Sequence, residues 1–141
     1  MVRTDYVLAV MAAAQVPLSP VEVQKLFFIL DKKAGAQLGG PFFNFTPYAY
    51  GPFDAAVYHE LERLAERGLA SIYGQSTTCR YGISAAGLKP GAAALGAITM
   101  SGYISQVAEY VRSSSFAQLI LAVYAEWPEM MANSIFQGYP R

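Results

Sequence analysis

The sequence predicts a mainly α-helical fold: a winged-helix-like core of three helices and a short β-hairpin, followed by further C-terminal helices. Three observations carry that expectation. Two capping boxes, Ser19-Pro20-Val21-Glu22 and Ser115 to Gln118, each stand directly before an apolar stripe of helical period. A third amphipathic run, Phe53 to Arg67, ends at Gly68. Two short β-prone runs then flank the polar stretch Gly74-Gln75-Ser76-Thr77-Thr78, as the arms and tip of a hairpin would.

Along the chain, Asp5 to Ala14 reads as a short first helix stopped by Val16-Pro17-Leu18. In the capping box that follows, the Ser19 hydroxyl and Glu22 carboxylate satisfy orphan amides, while Pro20 sits where no amide bond is needed. Val23, Leu26, Phe27 and Leu30 form the buried stripe, with Gln24, Lys25, Asp31, Lys32 and Lys33 expected mostly on the other side. Gly35, Gly39, Gly40 and Pro41 are expected to end this helix. Phe43, Phe45 and Tyr48 to Tyr50 alternate with smaller or polar residues as an extended segment does, and Gly51-Pro52 should close it with a turn. That turn should let Tyr48 and Phe53 pack on the Val23 to Leu30 helix. The next helix puts Val57, Leu61 and Leu64 inside and leaves Asp54, His59, Glu60, Glu62, Arg63, Glu66 and Arg67 on its exposed face.

Leu69 to Tyr73 and Arg80 to Ile83 are the hairpin arms. The Ala-rich part beyond is broken up by Gly87, Pro90, Gly91 and Gly96, and Gly87 to Gly91 reads as a hinge between a winged-helix-like part (about 1–88) and a helical part (about 89–141) of one domain. Helices are expected from Tyr103 to Ser113 and from Ser115 to Trp127. The second carries Phe116, Leu119, Ile120, Val123, Tyr124 and Trp127 on one face before Pro128 stops it.

A chain of 141 residues is of ordinary single-domain size, and 54% apolar against 14% charged residues is a composition that folds. Ten basic residues balance ten acidic ones, so no global positive field draws the chain to phosphate backbones or anionic membranes. Ten Tyr and eight Phe leave more apolar surface than one small core readily covers, which favours a partner groove or a homodimer. Cys79 is the only cysteine, which excludes an intrachain disulfide and suits a reducing cytoplasm. The N-terminus lacks a signal-peptide pattern, and the uncharged stretches between Lys33 and Asp54 and between Lys89 and Glu109 are interrupted too often for a spanning helix, so no membrane association is expected.

Val23-Gln24-Lys25-Leu26-Phe27-Phe28, then Phe43 to Phe45, then Pro47-Tyr48-Ala49-Tyr50-Gly51-Pro52-Phe53 and Leu61 to Leu69 together resemble the core of Panacea-domain proteins. That group includes the SocA-like antitoxins and related small phage- and prophage-associated proteins. There, a helix carrying "LQKL" precedes a "YGP"-like turn, an amphipathic helix and a short β-element; here Val23 replaces the first Leu. The match covers about the first half of the chain. It implies a non-enzymatic role in a toxin–antitoxin system, with a toxin encoded nearby as the protein partner.

No catalytic, cofactor-binding or metal-binding set is expected. His59, the only histidine, stands beside Glu60, but helix neighbours point about 100° apart and form no dyad. Cys79 reads as a small packed residue rather than a nucleophile. The glycines at 35, 39 and 40 lack the strand, spacing and lysine of a phosphate-binding loop. The candidate partner-binding residues are instead Phe43, Phe45, Tyr48, Tyr50 and Phe53 of the aromatic segment, with Asp54, Tyr58, Glu62 and Glu66 of the following helix. The other reading is a winged-helix DNA-binding regulator using Arg80 on its wing, against which stand four acids at the recognition position.

Overall fold

The structure, a computed structural model, describes residues 1–137. The element order is α1 (Arg3–Ala14), α2 (Pro20–Leu38), β1 (Thr46–Tyr48), β2 (Gly51–Phe53), α3 (Ala55–Glu66), β3 (Ala70–Tyr73), β4 (Arg80–Ile83), α4 (Leu88–Gly96), α5 (Ser101–Ser113) and α6 (Phe116–Glu126). The protein is mainly helical, with two antiparallel two-stranded hairpins, β1–β2 and β3–β4. Leu18, between α1 and α2, pairs with Tyr81 of β4 as a single bridge, so the second hairpin has a third strand reduced to one residue.

Both capping boxes form. Ser19 Oγ accepts from the Glu22 amide at 3.2 Å while the Ser19 amide donates to Glu22 Oε1 at 2.8 Å, and Ser115 and Gln118 repeat the pattern at 3.1 and 3.0 Å. Helix α2 is packed by α3, α5, α6, β2 and β4. Its expected solvent side is therefore covered: Gln24 and Lys25 are buried and Asp31 half-buried, and only Lys32 and Lys33 remain exposed. Nor does Gly35 end the helix. It is internal and buried, with Pro41 folded back against it, and the left-handed residue that terminates α2 is Gly39 at φ 90°.

The Asp31 carboxylate accepts from the Phe42 and Phe43 amides at 3.1 and 2.9 Å, tying the aromatic segment to α2. The turn of the first hairpin falls earlier than predicted. Tyr48 pairs with Gly51, so Ala49 and Tyr50 form the turn, while Gly51-Pro52 begins the returning strand. Pro47 faces Pro52 across the ladder, where neither residue has an amide to donate.

Helix α3 starts at Ala55, with Asp54 as its N-cap accepting from the Ala56 amide at 2.9 Å. Glu60 is not on the exposed face: it is buried against α1, where it accepts from Thr4 Oγ1 and pairs with Arg3 at 3.2 Å and Arg63 at 3.6 Å. The Gly87–Gly91 segment is packed rather than hinged. Helix α4 forms through Pro90, which sits in its first turn where no amide partner is lost. Gly91 lets α4 lie on α1, since a β-carbon there would stand 3.0 Å from Ala12 Cβ and 2.7 Å from Ile83 Cδ1. Buried residues of α1, α2, α3, α5 and α6 join in one apolar cluster. Among the described residues, no helix is long and apolar enough to cross a membrane.

Candidate functional site

The nine sequence-predicted residues divide into four groups. Phe43 and Phe45 are half-buried, with rings against Phe27 at 5.6 Å and Phe28 at 5.4 Å, so they chiefly complete the core. Asp54 serves as helix cap, accepts from the Asn44 amide at 2.8 Å, and exchanges two backbone bonds with the Gln24 amide group at 2.9 and 3.0 Å. Glu62 and Glu66 are exposed on α3. The remaining four, Tyr48, Tyr50, Phe53 and Tyr58, converge. They line one hollow of about 280 Å³ between the β1–β2 hairpin and the first two turns of α2.

Local chemistry explains this convergence. The hairpin turns the aromatic segment back on itself, bringing the Tyr48 and Phe53 rings to 5.0 Å, and Phe53 meets Tyr58 at 5.7 Å. Tyr58 is held by its hydroxyl, which donates to the Pro20 carbonyl at 3.3 Å, and by stacking on Tyr81 at 5.4 Å. Burial raises its pKa, so it remains a neutral phenol. Phe53 is half-buried, its ring against Tyr48 and Tyr58, while Tyr48 keeps 57% of its surface exposed and Tyr50 39%, so Tyr48 does not pack on α2 as expected.

Three contributors are missing from the sequence-based set. Phe116, at the start of α6, lies 5.4 Å from the Tyr50 ring and is 48% exposed. Ile135, 59% exposed, is fixed beside the hairpin by the bond from its amide to the Ala49 carbonyl at 2.9 Å. The third is Lys25, which lines the floor of the hollow and is 2% exposed. Burial lowers its pKa to about 7. A signal for it was present: Phe28 and Ile29 follow Lys25 at i+3 and i+4, so apolar residues occupy its side of α2 as well.

A second, larger hollow of about 550 Å³ opens on the other side of Tyr50, between the capped starts of α2 and α6 and the 3-10 turn Ser76–Thr78. Tyr50 is common to both. The charge on α3 differs from the sequence reading. Of the four acids expected on its face, Asp54 caps and Glu60 is neutralised inside, leaving Glu62 and Glu66 beside Arg63 and Arg67. Arg80 is held by the Thr77 and Cys79 carbonyls at 3.1 and 2.7 Å. His59 is exposed, and among the described residues no group of three or more His, Cys, Asp or Glu is placed to hold a metal ion.

No family model, no curated protein and no solved structure matches this chain.

Proposed function

We propose that the chain is a non-enzymatic protein-interaction module, antitoxin-like or adaptor in role, and that it takes hold of its partner protein with the face around the β1–β2 hairpin. One observation carries this reading: Tyr50 stands as an exposed aromatic wall between two hollows, with Tyr48, Phe116 and Ile135 exposed beside it. Rigid rings bury large area at low entropic cost, and contiguous exposed apolar surface of this kind marks association sites on soluble proteins. The resemblance to Panacea-domain proteins supplies the partner class, a toxin encoded nearby. It also places "YGP" at Tyr50-Gly51-Pro52, within this face.

The test is affinity capture with the full chain from its own cell, wild type against a Tyr48→Ala/Tyr50→Ala variant. Both side chains are exposed, so the variant should fold, and circular dichroism and melting temperature verify that it does. A stoichiometric protein partner held by the wild type and lost by the variant supports the reading. Equal capture by both sinks it.

The order of three helices and a hairpin, with the Leu18–Tyr81 bridge, favours a winged-helix DNA-binding regulator as second reading. The net charge of zero and the backbone bonds that occupy Arg80 weigh against it. Specific duplex binding in the nanomolar range at physiological salt would reverse that order.

A further inference from the structure

The floor of the smaller hollow holds a buried amine, Lys25, that pairs with nothing among the described residues. Lys25 rises from α2 beneath Gly51, and a β-carbon at position 51 would stand 3.2 Å from Lys25 Cε and 3.4 Å from Nζ. With no side chain at position 51, nothing from that residue crowds the Lys25 amine where both line the hollow. Among the described residues Lys25 makes no hydrogen bond and no ion pair. Among the described residues no carboxylate lines the hollow; its walls are Val21, Pro52, Phe53 and the tyrosines 48, 50 and 58. The amide of Gln24, the other polar group at the floor, is already engaged by the backbone of Asp54.

A buried ammonium ion without a partner is costly, and an opposite charge brought to it in a water-poor site is the arrangement that offsets the cost. We propose that this hollow receives a carboxylate side chain of the partner protein, with the Lys25 ammonium as its counter-ion and the tyrosine walls packed around its methylenes. The inference rests on the protein-binding reading and names the chemistry of the contact. A volume of about 280 Å³ suits a side chain, and the mouth is flanked by the exposed rings of Tyr48 and Tyr50 that would lie against the partner's surface. Folding has already stripped most water from the amine, so association need not do so again. The depressed pKa of about 7 agrees with this placement, because an entering carboxylate favours the charged form and draws a proton from solvent onto Nζ. The acidic anchor is thus recognised over its neutral isosteres.

The probe is N-acetyl-glutamate N-methylamide, compared with N-acetyl-glutamine N-methylamide, which has the same shape without the charge. Each is titrated into the full-length protein at pH 6.5, with binding followed by NMR shifts of the Gly51 and Tyr50 amides and of Lys25 Cε. The expected result is saturable binding of the glutamate probe with the glutamine probe weaker by about tenfold or more. In Lys25→Met, with its fold verified by the same spectra, that preference should vanish. Equal binding of the two probes, absence of binding by the glutamate probe, or an unchanged preference in Lys25→Met overturns the proposal. Capture of the partner separates this outcome from failure of the wider reading. A partner held equally by wild type and Lys25→Met, yet lost by Tyr48→Ala/Tyr50→Ala, removes the carboxylate anchor and leaves the hairpin interface standing.

Discussion

Replacing Lys25 with methionine should stabilise the protein at neutral pH, by an amount that shrinks as the pH rises. The unfolded chain holds the Lys25 proton at any pH below about 10.5, whereas the folded protein holds it only below about 7. Between those values the unfolded state binds more protons, so stability rises with pH across the window. The penalty of burying this amine is therefore full below about 7 and gone above about 10.5. That gap corresponds to roughly 5 kcal/mol at about 1.4 kcal/mol per pH unit, an upper bound because water and side chains relax around a buried charge. Methionine fills nearly the same space without a charge, so about 2–4 kcal/mol should be gained at pH 7. Urea unfolding followed by circular dichroism at pH 6.5, 8 and 9.5 measures the difference. Burial raises the pKa values of Tyr6, Tyr58 and Tyr81, so both proteins should weaken above about pH 10, and that common loss cancels in the comparison. A variant less stable than wild type at pH 7, or a gain of equal size at all three pH values, would refute the reasoning.

Three further substitutions separate scaffold from surface. Gly51 has φ 103° and lies against Lys25 and Tyr124, so Gly51→Val should cost about 1–3 kcal/mol in chemical denaturation and weaken partner capture by more than that loss, because its side chain intrudes on the hollow beside Lys25. Glu60→Gln removes the charge that pairs with Arg3 and Arg63 inside the α1–α3 contact, and a loss of about 2–4 kcal/mol is expected, read as a lower urea midpoint at pH 7. The double change Glu62→Lys/Glu66→Lys touches exposed side chains that line neither hollow. It should shift stability by no more than about 0.5 kcal/mol and reduce partner capture less than Tyr48→Ala/Tyr50→Ala does.

Features whose cause is local were legible in the sequence. Ser19 with Glu22, and Ser115 with Gln118, form caps from neighbours three residues apart, and the stripes behind them become α2 and α6. The β3–β4 hairpin follows from its two apolar arms and polar tip. What the sequence did not reveal depends on segments distant in the chain. Lys25 is buried because β2 and α6 cover it, Glu60 because Thr4 and Arg3 reach it from α1, and Gly91 stands inside a helix because Ala12 and Ile83 leave no room there for a side chain. The aromatic half of the candidate site was visible as Tyr48, Tyr50, Phe53 and Tyr58. Phe116 and Ile135 were not, since the fold brings them to the hairpin from the other end of the chain.

The hairpin interface is tested most directly by where a partner touches the protein in the cell. A photoreactive benzoyl-phenylalanine placed at position 50, on the proposed face, is compared with one at position 97, an exposed site outside both hollows. Illumination should give a discrete covalent adduct with a single protein from position 50 and none from position 97. An adduct with the same protein from position 97 and none from position 50 would contradict the account.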